Sequence, residues 1–181
     1  FTPGPNNAML ATSGANFGFR RTIPHALGVA IGFPAMLLIV GLLLGQLFQS
    51  SALLRETLRW GGAALLLWIA YKVAFSAGTE TKSANARPMT FIGASAFQWI
   101  NPKGWSMAIA AISLFIDPAS PLHTALIVAA VFTLFGLMSS ATWVGLGQVI
   151  SRWLTTEARR RIFNLTMAVL IVLSTVQMLW H

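Results

Sequence analysis

The chain of 181 residues has no cysteine, only 4 acidic residues, 3 histidines and a single tyrosine. Each scarcity removes a class of protein. Without cysteine there is no disulfide framework, no thiol redox carrier and no thiolate metal site. The acids Glu56, Glu80, Asp117 and Glu157 are scattered and fall in loops or at the edges of apolar runs. No pair of carboxylates is therefore available inside a run for acid–base catalysis. His25, His123 and His181 stand singly at the ends of runs, without the spacing of metal ligands. Charged residues make up only 9% of the chain, where a soluble domain carries about 25%. So few charges cannot cover a water-facing surface, which excludes an ordinary cytoplasmic enzyme and a disordered chain. The net charge of +8 has no basic face to mount it, so nucleic acid is excluded as a partner. No cofactor is expected.

What is present is apolar: 56% of the residues are hydrophobic. A bilayer core of ~30 Å takes about 20 mostly apolar residues as a helix. Runs of that kind lie at Pro24–Phe48, Leu58–Ala77, Met89–Ile116, Leu122–Ile150 and Ile162–Trp180. They are long and lack strict alternation, so they read as helices rather than barrel strands. With the shorter stretch Phe1–Ser13 they predict an all-α polytopic membrane protein of six transmembrane helices, with the lipid bilayer as its surroundings. The chain opens at Phe1 without a methionine and runs straight into a proline-rich break. The expectation is that the first helix is truncated here. Gly28/Gly32 and Gly41/Gly45 place small residues four apart, where helix backbones can approach closely.

The loops alternate in charge. Arg20, Arg21, Lys72, Lys82, Arg87, Arg152, Arg159, Arg160 and Arg161 fall on one side, and only Arg55 and Arg59 on the other. The positive-inside rule puts the larger set in the cytoplasm, and six spans then leave both termini outside. Residues 1–181 read as one transmembrane transporter domain, with repeat halves 1–77 and 89–181 joined by a cytoplasmic loop 78–88. Three crossings is an odd number, so the second half is inverted. The first helix of each half carries a proline break beside asparagine: Pro3-Gly4-Pro5-Asn6 and Asn101-Pro102-Lys103. Matching interrupted helices in inverted halves point to a transport site. Asn6 lies ~21 Å of helix before Arg20, and Asn101 ~18 Å after Met89, at about 1.5 Å per residue. Both breaks thus fall near the middle of the membrane.

Proline has no amide hydrogen and opens a helix; Pro102 should free the carbonyl of Gln98, and Pro5 that of Phe1. A lysine at the bilayer centre costs ~2.5 kcal/mol or more, so Lys103 should face a wet cavity or a partner. Asparagine amides, freed carbonyls or a substrate carboxylate would suit it. Ser95, Gln98, Pro102 and Trp105 recur at helical spacing as one polar–aromatic face. Trp99, Trp105 and Trp143 are too deep for the interfacial belt and are candidates for pocket walls or core. Ser139, Ser140 and Thr142 add polarity to the fifth span but can bond within their own helix. The candidate substrate-binding residues are Pro5, Asn6, Asn7, Gln98, Asn101, Pro102, Lys103 and Trp105. Lys103 with helix N-terminal amides would hold a carboxylate, and Asn6, Asn7 and Asn101 would offer donors and acceptors beside it.

At these residues the sequence resembles the lysine exporter (LysE) family, and particularly its homoserine/threonine and cysteine/O-acetylserine exporter branch. Thr2-Pro3-Gly4-Pro5-Asn6-Asn7 is similar to the family's first-helix signature, followed by Gly14, Gly18 and Arg20. Gln98-Trp99-Ile100-Asn101-Pro102-Lys103 is similar to its fourth-helix signature. The resemblance implies a non-enzymatic inner-membrane exporter of small amino acids or their derivatives in bacteria, with protons as the coupling ion. Some relatives have aspartate where this chain has Asn6. Without an acid inside a span, neutral amino acids are the expected substrates. A non-transporting membrane scaffold and a metal-ion exporter of the same superfamily are the alternatives. A homo-oligomer is among the assemblies the sequence admits.

Overall fold

The computed structural model describes residues 4–44, 51–75 and 87–180. Every regular element among them is helical. The order is α1 (Pro5–Phe17), α2 (Phe19–Ile39, running on into a π-helical turn at Val40–Leu44), α3 (Ala52–Phe75), α4 (Phe91–Ile100), α5 (Pro102–Phe115), α6 (Pro121–Ser151) and α7 (Glu157–Trp180). Prolines start three of them: Pro5, Pro102 and Pro121 each sit in a first helical turn, where a missing amide hydrogen is no loss and φ is already helical. Gly18, at φ 78°, ends α1 in a conformation glycine adopts without strain. Its amide donates to the Gly14 carbonyl at 3.0 Å, and α2 begins at the next residue.

Three stretches are each long and apolar enough to cross a membrane: Phe19–Leu43 with 25 residues, Glu56–Phe75 with 20 and Pro121–Ser151 with 31. The apolar run Met89–Ile116 is not one helix. It divides at Asn101 into α4, of 10 residues, and α5, of 14. Residues 1–3, Gly45 and most of the loop 78–88 lie outside the described residues.

The widest contacts join α1 to α6, α2 to α6, α3 to α7 and α2 to α4. Lipid tails are as apolar as a leucine side chain, so helices in a bilayer associate through close packing rather than through escape from water. Glycine supplies that closeness. A Cβ added at Gly14 would run into the Val144 carbonyl, and one at Gly147 into the carbonyl of Ala11. One at Gly28 would stand 2.5 Å from the Phe91 carbonyl, and one at Gly32 2.6 Å from Ser95. The Gly28/Gly32 pair therefore lies in a helix contact, that of α2 with α4. Outside these seams the surface stays apolar, with Ile92, Leu114, Leu134 and Leu173 all exposed. An outer face of that kind suits lipid, and the protein is a helical membrane protein.

Candidate functional site

The break between α4 and α5 is built from several groups. Asn101 is extended, with φ −86° and ψ 105°, and its side-chain oxygen accepts the Lys103 amide at 3.2 Å. The Gln98 carbonyl, expected to be released by Pro102, accepts the amide of Asn101 at 3.3 Å instead. One residue on, the Trp99 carbonyl accepts the indole N–H of Trp105 at 2.8 Å. The two indoles meet edge to face, with centroids 6.1 Å apart. An added Cβ at Gly62 of α3 would stand 2.5 Å from both the Ile100 carbonyl and the Pro102 ring. Proline stops the helix, while a cap, an indole and a glycine notch hold the stop in shape.

The start of α1 is locked to this break. Asn6 donates from Nδ2 to Gln98 Oε1 at 2.9 Å, and Gln98 Nε2 donates back to Asn6 Oδ1 at 3.3 Å and to the Ala94 carbonyl at 2.9 Å. Gln98 is fully buried. A buried amide is tolerated when its donors and acceptor are used, and here the pairing fixes the face that Asn6 presents.

Beside this pair lies a cavity of about 200 Å³. Its polar groups come from three elements: Pro5, Asn6 and Asn7 of α1, Asn101 and Lys103 at the break, and Ser139 and Ser140 of α6. Its apolar wall comes from Phe33, Met107, Phe132 and Phe135. By register the two are offset, since Phe132 stands ~10 Å along the helix from Ser139 and Met107 ~6 Å from Lys103, at 1.5 Å per residue. The Lys103 side chain runs over Gly4, so close that a Cβ there would stand 2.8 Å from Nζ.

Of the eight residues singled out from the sequence, Pro5, Asn6, Asn7, Asn101 and Lys103 line the cavity. Gln98, Pro102 and Trp105 stand behind it, each buried and holding the break. Trp99 and Trp143 do not line it either. The aromatic wall gave no signal in the sequence, because phenylalanine in an apolar run is indistinguishable from core. Ser140 had a faint one. It is only 2% exposed and lines the cavity. The buried Thr12 and Thr175 bond to carbonyls four residues back. Thr142 does the same, to Met138, away from the cavity.

The electrostatics of the cavity are one-sided. Helix N-termini carry a partial positive charge of roughly half an electron charge, and those of α1 and α5 both border the space, as does the Lys103 ammonium. Among the described residues, no acidic one lines it. The arrangement can hold an anion such as a carboxylate against amides and an ammonium, with amide and hydroxyl oxygens nearby for a donor.

The sequence profile of the LysE type translocator family matches residues 1–181. Cysteine/O-acetylserine efflux proteins of Escherichia coli (strain K12) and Shigella sonnei (strain Ss046) are 29% identical over 184 residues, covering 99% of this chain and 91% of theirs. That of Escherichia coli O6:K15:H31 is 28% identical over the same coverage. No solved structure matches the chain. The match along its whole length shows that the chain belongs to the family of LysE type translocators, which are transporters and not enzymes.

Proposed function

We propose that this protein exports a small amino acid, or a close derivative, with a neutral side chain. The observation that carries the reading is the cavity itself, where Lys103, three asparagines and two helix N-termini meet at one end and aromatic side chains at the other. The ammonium and the N-termini take the carboxylate. Asparagine and serine oxygens take the ammonium of the substrate, and the apolar wall accepts its side chain. At about 200 Å³ the space falls below the ~300–1,000 Å³ of sites for drug-sized ligands. It would hold about seven waters at ~30 Å³ each, which suits a molecule as small as an amino acid. A lysine substrate would meet no buried acid there. Efflux of cysteine and O-acetylserine by the relatives supports the same substrate class.

The wider frame goes with this reading. The protein lies in the bacterial inner membrane with its basic loops in the cytoplasm and both termini outside. Six spans form two inverted halves, supported by two half-length helices, α1 and α5, that each start at a proline beside asparagine. Export is coupled to protons.

Efflux from proteoliposomes tests the site. Lys103→Ala should abolish transport of the amino acid at matched protein, and Lys103→Arg should retain part of it with weaker affinity. An analogue with its carboxylate amidated should be a poor substrate for the wild type and no worse for Lys103→Ala. Undiminished transport of the acid by the alanine variant would overturn the assignment.

A further inference from the structure

A second cavity, of about 470 Å³, lies further along α1. The first touches this helix at Pro5–Asn7; the second touches it from Met9 to Phe17. Two exposed cations stand at it, Lys72 near the end of α3 and Arg87 ahead of α4. The Lys72 ammonium rests over the Trp68 ring, 5.5 Å from its centroid, so its position is set by an aromatic face. Among the described residues, no acidic one lines the space. Deeper in its wall is His25, only 3% exposed. Its Nδ1 is enclosed, with no hydrogen-bond partner among the described residues. Buried polar groups are nearly always bonded, and one that is not calls for an explanation. Asn16 adds a side-chain amide. By contrast, the buried hydroxyls Ser13 and Thr22 satisfy each other at 3.1 Å.

We infer that this second cavity is a loading site for the amino-acid substrate on the basic side of the protein, filled before the site at the helix break. The inference rests on the export reading above. Lys72 and Arg87 draw in the carboxylate, and the imidazole and the Asn16 amide offer hydrogen-bonding atoms to the rest of the molecule. The charge bias explains why the substrate is collected here: the positive-inside rule makes this the cytoplasmic side, the side from which an exporter takes its cargo. Both cavities share α1, so a substrate leaving the second passes along the helix that carries Asn6 and Asn7.

The test is initial-rate transport of radiolabelled O-acetylserine and cysteine by the full-length protein, in vesicles of zwitterionic lipid and in vesicles with added anionic lipid. Substrate is supplied at the face bearing Lys72 and Arg87. Exposed charge contacts contribute ~0.2–1 kcal/mol each. Lys72→Gln with Arg87→Gln should therefore raise the apparent KM about 2- to 30-fold and leave the maximal rate within about twofold. His25→Gln should also raise KM, which separates a site from mere surface steering. An unchanged KM in zwitterionic lipid overturns the loading site, as does an equal fall in maximal rate. An effect seen only with anionic lipid overturns it too, because the cations would then be holding headgroups. A wild type that moves no neutral amino acid refutes the export reading itself, and with it the loading site.

Discussion

Gly4→Ala probes Lys103 without altering it. Gly4 has an extended backbone, φ −173° and ψ 177°, which any residue adopts, so the substitution brings no backbone strain. The new methyl would stand 2.8 Å from Lys103 Nζ, whereas ordinary contact begins at 3.4 Å. The ammonium must therefore shift by about 0.6 Å, enough to lengthen a good hydrogen bond beyond its useful range. A charge-assisted contact contributes ~1.5–3 kcal/mol, and losing all of it would raise KM by about 10- to 150-fold. That range is the ceiling, because the lysine stem is flexible and can recover part of the contact. Gly147→Ala is the contrast: its methyl meets the backbone of Ala11, which cannot yield in the same way. Gly4→Ala should keep wild-type abundance in the membrane and lose affinity, while Gly147→Ala should lose abundance. The assay is KM and maximal rate in proteoliposomes, beside membrane abundance by immunoblot. An unchanged KM for Gly4→Ala, where Lys103→Ala does change transport, would refute the placement of the ammonium. Unchanged transport in both would refute the role of the lysine.

Pro102→Ala alone should leave the helix broken and retain substantial efflux, because Asn101 still caps α5 and the Trp105 indole still holds the Trp99 carbonyl. Adding Asn101→Ala removes the cap and should abolish efflux at matched abundance; equal activity of the single and double variants would disprove the shared hold. Gln98→Leu strips Asn6 of both partner bonds, and leaving buried polar groups unmade costs about 1–3 kcal/mol. Thermal unfolding in detergent should shift down and KM should rise, whereas an effect on stability alone would make Gln98 purely structural. In a chain without cysteine, Thr156→Cys reports topology cleanly. It should resist an impermeant thiol reagent in intact, outer-permeabilised cells, and labelling there would reverse the proposed orientation.

Composition and periodicity determined the class of this protein on their own. Too few charges to face water, and apolar runs near the thickness of a bilayer, admit little besides a helical membrane protein. The proline–asparagine break at Asn101–Lys103 was also legible, because proline opens a helix through its own covalent structure and needs no neighbour to do so. The same local logic marked Asn6, Asn7, Asn101 and Lys103, polar residues within or beside apolar runs where polarity is costly.

Which of those residues border the cavity, and which stand behind it, was decided in three dimensions. Gln98 and Trp105 look like site residues in one dimension, yet both bond to the backbone or side chains that shape the break. Phe33, Phe132 and Phe135 look like lipid-facing or core residues and form the apolar wall. The reason is the solvent. In water, burial sorts polar from apolar and leaves a pattern in the sequence, whereas in lipid both faces of a helix are apolar and the pattern vanishes. Close approach at Gly14, Gly28 and Gly147 then sets which faces meet, and that information resides in pairs of residues far apart in the chain.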